Sequence, residues 1–282
     1  MKTALCISGE LRSYDITYEE LNNHIIRPLN ADVFVYSWNS IGGSHKKRSS
    51  ANVYNKFFTD DFRGEFHKSC DKNEFFEKIK DIYKPRKIVL EDYKEEYQNK
   101  IEDVERPEKL INDKELSRWS KNDISMFYTL YKCNELKKEA ETEDGLKYDL
   151  VIKARSDIRF PDFKRMPLNA KLLKENNTLF YWPKDHNESH AVSDKFAFAN
   201  SEIMDYYCNV FKRLNEYWNE GLMIESTQQP KISEHIMWHH FHDKSKYNVK
   251  SFGSEYYDAA RAAGLRKELK QKLLGRKSEK DT

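Results

Sequence analysis

Residues 121–160 constrain the fold most strongly, because a helix pattern changes to a strand pattern within this run. Apolar residues recur at steps of three and four from Met126 to Leu136, and this period predicts a helix with one buried face. Residues 148–154 are short and apolar, which predicts a strand covered on both faces of a mostly parallel sheet. A helix that leads directly into a buried strand indicates an α/β fold.

A dense group of polar residues follows the end of this predicted strand. Its members are Lys153, Arg155, Ser156, Asp157 and Arg159. Open α/β sheets bind their ligands at the carboxyl ends of the strands, and one acid among several bases suits a ligand that carries phosphate. The alternative is a surface turn whose charges pair with one another.

Residues 1–38 predict a second part of the same sheet. Residues 3–8 form an apolar strand candidate that leads through Gly9 and Arg12 into a helix over about 14–26, and 30–38 form another strand. Glycine at such a turn lets the backbone approach a ligand, and the helix start offers unpaired N–H groups to an anion. An ordinary βα turn with a surface arginine is the alternative, because neither GxGxxG nor GxxxxGK[ST] occurs.

Strand and helix candidates continue to alternate along the chain, and the loops between them are polar. The candidates are helices at 72–83, 201–218 (with Ser201 as its N-cap) and 233–242, and strands at 87–90, 178–182 and 193–200. Residues 41–64 and 92–114 read as a loop and a solvated, charged connection. We therefore expect one α/β domain over residues 1–258.

Two groups of histidines raise the question of a metal site. Residues 185–190 carry two imidazoles among acceptors, and His235 and His239 are spaced to share a helix face. The zincin pattern requires Glu directly after the first His, but Ile236 stands there. A solvated loop and a packed, hydrogen-bonded helix are the favoured interpretations.

Composition excludes several classes of protein. The chain of 282 residues has a formal net charge of +2, which gives no general attraction for nucleic acid. The four cysteines form no CxxC pair, so neither a disulfide framework nor a zinc ribbon is indicated. No apolar run is long enough to span a bilayer, and the N-terminus lacks a signal-peptide pattern, so we expect a cytoplasmic protein.

Residues 259–282 differ from the rest of the chain. Between 261 and 277 there are seven Lys or Arg and one Glu, and Leu265, Leu269 and Leu273 recur at four-residue steps. This pattern predicts a basic amphipathic helix, which suits peripheral contact with the inner face of an anionic membrane. A solvated terminal helix with a narrow packing stripe is the alternative.

Five short blocks together resemble a known family. They are CISGELRSY, NADVFVYSW, YDLVIKARSDIRF, SDKFAFANSEIMDYY and SEHIMWHHF. In this order, over about residues 1–241, the chain resembles small bacterial and viral nucleotide-sugar glycosyltransferases of the GT-A type, found among capsule, lipopolysaccharide and other surface-glycan genes. The resemblance implies a GT-A-like, Rossmann-type sheet, mostly parallel and flanked by helices.

The resemblance also implies a reaction: a sugar moves from a nucleoside diphosphate sugar to a hydroxyl of a glycan or lipid-linked acceptor. The leaving diphosphate must be neutralised by a divalent metal, Mn²⁺ or Mg²⁺, or by basic side chains. Asp157 falls where the first metal-binding carboxylate of a DxD motif would lie, but Arg159 replaces the last acid. The residues expected at the nucleotide are Gly9, Arg12, Lys153, Arg155 and Arg159.

An inverting transfer needs a base, because the acceptor hydroxyl loses a proton as it attacks. Glu234 and Asp194 are the candidates. Glu234 lies in the first turn of a predicted helix, where a carboxylate is favoured in its charged form, although it can serve the helix dipole alone. Asp194 is an alternative base or a ligand of acceptor hydroxyls.

Two other functions remain open from the sequence. A nucleotidyltransferase on a related sheet also needs a carboxylate and bases around a phosphate, but SGELRSY is a poor version of its Gly-rich basic loop. A non-catalytic glycan-binding protein explains the 17 Tyr, 16 Phe and 5 Trp without any catalytic residue.

Overall fold

The computed structural model describes residues 1–11, 14–39, 72–92, 103–112, 114–159, 177–181, 191–220, 233–251 and 258–259. Several predictions fall outside these residues: Arg12, most of the 41–64 loop, the histidines of 185–190 and the basic segment 261–277. No described helix is long and apolar enough to cross a bilayer.

Helices and strands alternate through the described chain. The strands are β1 (Thr3–Ser8), β2 (Asp32–Trp38), β3 (Lys87–Glu91), β4 (Leu150–Ala154), β5 (Ile158–Arg159), β6 (Thr178–Tyr181), β7 (Phe196–Ala199), β8 (Asn248–Ser251) and β9 (Asp258–Ala259). The α-helices are α1 (Tyr14–Leu21), α2 (Arg27–Leu29), α3 (Lys72–Tyr83), α4 (Glu108–Asn112), α5 (Lys114–Asp144), α6 (Ser201–Cys208), α7 (Leu214–Asn219) and α8 (Ser233–Trp238). Two π-helical turns, Asn22–Ile26 and His239–Asp243, and a 3₁₀ turn, Asn209–Arg213, join some of them.

The main sheet has seven strands in the order β3-β2-β1-β4-β7-β6-β8. Strands β1, β2, β3 and β4 are parallel, β7 is antiparallel to its neighbours β4 and β6, and β6 is parallel to β8. The predicted mostly parallel α/β sheet is therefore confirmed. The strands predicted at 3–8, 30–38, 87–90 and 148–154 are direct neighbours within it.

A small second sheet lies beyond the end of β4. Ile158 of β5 pairs with Ala259 of β9, and Arg159 pairs with Asp258. Strand β9 thus begins at residue 258, where the domain was expected to end. It pairs beside the polar residues that follow β4.

Both faces of the main sheet are covered, as the apolar strands predict. Ala4 and Cys6 of β1 face the core that contains α5, α6 and α8, whereas Leu5 and Ile7 face the core that contains α1 and α3. This alternation follows from the two-residue period of a strand.

The structure corrects one predicted helix start. Asn200, rather than Ser201, is the N-cap of α6, and its side chain accepts a hydrogen bond from the Ile203 N–H at 3.0 Å. The Ser201 hydroxyl instead donates to Glu141 at 2.5 Å. The predicted helix over 201–218 also divides into α6, a 3₁₀ turn and α7.

A buried ionic network joins α5 to α6. Lys137 is 0% exposed, and its ammonium group donates to Glu141 at 3.1 Å and to Asp205 at 2.7 Å. Glu141 also accepts from the Tyr148 N–H at 3.0 Å, which links the network to the approach to β4. Removing one partner of such a network leaves the other charges buried and uncompensated.

We expect Lys137→Met to lower the free energy of unfolding by about 3–5 kcal/mol in urea denaturation, because Glu141 then loses its buried cation. Lys138→Met is the control, since Lys138 is the next residue and its side chain is 45% exposed. The control should change stability by no more than about 0.5 kcal/mol. Equal effects of the two substitutions would show that the network contributes little.

Candidate functional site

The polar residues at the end of β4 lie at the point where the order of the strands in the sheet reverses. Strands β2 and β3 extend the sheet on one side of β1, whereas β4 lies on its other side. Open α/β sheets bind ligands in the crevice at such a switch point, outside the carboxyl ends of the strands. Ile7 pairs with Ala154 in register, so Gly9 and Arg155 leave the same edge together.

Hydrogen bonds hold the two strand ends to each other. The Ser156 hydroxyl donates to the Glu10 carbonyl at 3.3 Å, and the Thr17 hydroxyl of α1 donates to the Ser156 carbonyl. Gly9 has φ +94°, a conformation that side chains disfavour, and an added Cβ there would meet no described atom within 4 Å. Within the part of the chain that the structure describes, the turn after β1 therefore leaves room beside its backbone for a ligand to approach.

Arg155 and Asp157 form a two-point ion pair. Arg155 Nε donates to Asp157 Oδ1 at 2.9 Å, and Nη2 donates to Oδ2 at 2.6 Å. A third guanidinium nitrogen lies 3.7 Å from Asp194 Oδ2. Burial opposes the charge of Arg155, but Asp157 and Asp194 outweigh burial and raise its pKa. Both oxygens of Asp157 are thus engaged by an arginine.

Unlike Arg155, Lys153 has no contact with an acidic side chain among the described residues. It is 2% exposed and lies on the face of β4 that points toward α5 and α6. Within the described chain its ammonium group makes no hydrogen bond and no ion pair. Burial lowers its pKa to about 8, and the nearby Asp194 only partly offsets this effect. A buried ammonium group without a partner is stabilised when an anion binds beside it.

The segment before β7 completes this edge of the sheet. Because β7 is antiparallel to β4, its first residue follows directly on Asp194 and Lys195 at the same edge. The Arg155 N–H donates to the Lys195 carbonyl at 3.0 Å, and the Ser193 hydroxyl accepts from the Lys195 N–H at 3.1 Å. Asp194 is thereby held against Arg155.

Glu234 lies at the start of α8 and is 8% exposed. Its backbone carbonyl accepts from the Val192 N–H at 3.0 Å, which joins α8 to the segment that carries Asp194. The Ser233 hydroxyl donates to Glu234 Oε2 at 3.0 Å. The structure therefore brings the two predicted catalytic carboxylates to the same edge as Lys153 and Arg155.

Sequence reasoning missed one carboxyl group. Burial, followed by the charges of Glu234 and Asp194, raises the pKa of Asp123 on α5 well above its usual value. Its position offered a weak signal, since Asp123 precedes the buried Phe127 by four residues on one side of the helix, although Asp123 itself is only partly buried.

The described residues do not fit a divalent cation. They contain no group of three or more His, Cys, Asp or Glu side chains placed to hold a metal ion. Asp157 offers no oxygen that Arg155 does not already bind.

The histidine pair of α8 and the π-helical turn that follows it is explained by packing. His239 contacts Glu220 at 3.1 Å through Nε2 and Asp243 at 2.5 Å through Nδ1. His235 is buried in the preceding turn. The packed, hydrogen-bonded helix favoured by the sequence is what the structure contains.

Comparison with protein-family models gives no match to this chain, and comparison with curated proteins gives none either.

Replacing Lys153 by Met tests its buried charge. Because its folded pKa of about 8 lies below the unfolded value of 10.5, wild-type stability should rise with pH between these values. We expect Lys153→Met to be more stable than wild type at pH 7 by up to about 3 kcal/mol in urea denaturation, with the difference closing toward pH 10. A difference that stays constant over this pH range would contradict the assignment.

Proposed function

We propose that the protein is a GT-A-type glycosyltransferase that moves a sugar from a nucleoside diphosphate sugar to a hydroxyl of a glycan or lipid-linked acceptor in surface-glycan synthesis. The observation that carries the proposal is the uncompensated, buried Lys153 at the switch point of the sheet. The order β3-β2-β1-β4 is also the order of the first nucleotide-binding half of Rossmann-type sheets.

The donor diphosphate would bind between the turn at Gly9 and the end of β4. Among the described atoms nothing lies within 4 Å of a Cβ built on Gly9, which allows close approach of a phosphate, and Lys153 supplies a positive charge that no described side chain pairs with. Arg155 contributes a fixed positive potential, although Asp157 and Asp194 already compensate part of its charge. Lys153 is therefore the principal diphosphate contact among the described cations.

Sugar transfer breaks the bond between the anomeric carbon and the diphosphate oxygen, and the bonding electrons leave with the diphosphate. Positive charge that is in place before the reaction stabilises this leaving group without further rearrangement. The acceptor oxygen forms the new bond to the anomeric carbon and loses its proton to a base. No step here passes through a metal ion, because the described donor set does not fit one.

Glu234 is the better candidate for the base. Asp194 lies 3.7 Å from Arg155 and is engaged by that cation. Glu234 receives a hydrogen bond from a neutral hydroxyl instead. We assign Asp194 to binding sugar hydroxyls and to holding Arg155.

Lys153→Met should weaken the binding of a nucleoside diphosphate by about 10- to 100-fold, since a charge-assisted contact to phosphate is lost. Binding of the matching nucleoside should be unchanged. The measurement is calorimetric titration with the diphosphates and nucleosides of uracil, guanine, adenine and cytosine. Lys212→Met, an exposed cation of the 3₁₀ turn, is the control.

Each contrary outcome of these titrations has a separate meaning. Equal losses for diphosphate and nucleoside would remove the phosphate role from Lys153. If Mn²⁺ strengthens diphosphate binding and Asp157→Asn abolishes that gain, the metal version of the site holds instead. Binding of oligosaccharide without any nucleotide would favour a non-catalytic glycan-binding protein.

A further inference from the structure

The chain returns to the carboxyl edge of the main sheet after β8. Strands β6 and β8 run parallel to β4, because β7 is antiparallel to both β4 and β6. Ser251, the last residue of β8, therefore lies in register with Lys153 through β6 and β7. Strand β9 then pairs with β5, which begins directly after Asp157. Both β8 and β9 thus bring the chain to the edge that carries the candidate site.

The basic segment 261–277 begins two residues after β9. This segment lies outside the described residues, but the length of the chain limits where it starts. Two residues span about 7 Å at full extension, so the Cα atom of Arg261 lies within about 7 Å of the Cα atom of Ala259. Seven Lys or Arg and one Glu therefore follow directly from the small sheet beside Asp157. This excess of positive charge is attached to the carboxyl edge of the main sheet.

The cations at the opposite, amino edge of the sheet are compensated. Lys2, Arg86 and Lys87 lie just before or at the starts of β1 and β3, and each pairs with acids. Their acidic partners are Asp32, Glu139, Glu143 and Asp144. An anionic surface is therefore attracted to the carboxyl edge more strongly than to these described residues of the amino edge.

We propose that the carboxyl edge of the sheet faces an anionic lipid surface, and that the acceptor is a lipid-linked hydroxyl in that surface rather than a free glycan. The choice of acceptor rests on the proposed glycosyltransferase function, whereas the orientation does not. Basic side chains attract anionic headgroups, and Leu265, Leu269 and Leu273 supply apolar surface for the same contact. Because this segment is attached beside the site, lipid binding raises the effective concentration of a lipid-linked acceptor there.

The first test measures the orientation and needs no activity. A donor fluorophore is attached at Asn122→Cys or at Leu146→Cys in a Cys70→Ser background, since the other three cysteines are buried. Asn122 is exposed three residues before Ser125, whose hydroxyl accepts at 2.8 Å from Trp38 at the carboxyl end of β2. Leu146 is 60% exposed and follows the end of α5 at the amino edge.

Energy transfer to a rhodamine-labelled headgroup in phosphatidylglycerol vesicles should be greater from residue 122 than from residue 146. Equal transfer from the two positions, or greater transfer from residue 146, would overturn the orientation. Failure of the protein to bind these vesicles would overturn the whole proposal.

The second test removes charge from the basic segment. Lys267→Gln, Lys270→Gln and Lys272→Gln together should weaken binding to phosphatidylglycerol vesicles about 100-fold in a sedimentation assay, because each cation near an anionic surface contributes to the attraction.

The matched control neutralises three exposed cations on the amino-edge half of the fold. They are Lys80, Lys84 and Lys138. Their replacement by Gln should change vesicle binding by less than about threefold. Equal losses in the two triple variants would show that net charge alone governs binding, which contradicts the proposed surface.

The third test separates the acceptor from the orientation. Transfer is measured to a methyl glycoside in solution and to the hexadecyl glycoside of the same sugar in phosphatidylglycerol vesicles. The triple substitution in 267–272 should lower transfer to the hexadecyl glycoside in proportion to the lost binding and leave transfer to the methyl glycoside unchanged. Equal losses on the two acceptors would overturn the lipid-linked acceptor. If wild type transfers sugar to neither, the proposed function fails, and the energy-transfer result still decides the orientation.

Discussion

The parallel pairing of β1 with β4 determines where every charged group of the site lies. The register of this pairing sets Ile7 beside Ala154, so both strands end at the same level of the sheet. The Ser156 hydroxyl therefore reaches the Glu10 carbonyl. Two parallel neighbouring strands need a long connection between them. Here the connection from β1 to β4 ends with the 31-residue helix α5. The same helix carries Asp123 in its first half and the Lys137 network in its second half.

Charge compensation separates the two central cations. Arg155 is locked by a two-point contact with Asp157 and lies near Asp194, so its charge is largely balanced within the protein. Lys153 is more deeply buried, at 2% exposure against 26% for the Arg155 side chain, and within the described residues it lacks such a contact. Burial without compensation destabilises a fold, and proteins keep such groups where binding or catalysis uses them. This contrast is the physical basis for placing the anion at Lys153.

The local part of this architecture was predictable from the sequence. Strand β4 and its charged end lie within one short run, and a two-residue period identifies buried strands without knowledge of their partners. The helices were harder to place, because α5 begins at Lys114 in a charged region and the helix after Asn200 changes to a 3₁₀ turn. Tertiary contacts, such as that of Ser201 with Glu141, decide these boundaries.

The pairing within the site was only the alternative in the sequence analysis, which weighed a turn whose charges pair with one another. The resemblance placed Arg155 at phosphate and Asp157 at a metal, whereas the backbone turn after β4 brings the two into contact. Asp123 is far in the chain from Asp194 and Glu234, whose charges act on it, and only the packing of α5 against the sheet and α8 relates them.

Nuclear magnetic resonance of the protein with ¹³C-labelled lysine measures the central claim most directly. The Lys153 signal, assigned by its absence in Lys153→Arg, should titrate near pH 8 in the free protein. Saturating inorganic pyrophosphate should raise that pKa toward the ordinary value of lysine, because an anion beside the ammonium group stabilises its charged form. A Lys153 pKa that pyrophosphate leaves unchanged would contradict the anion site.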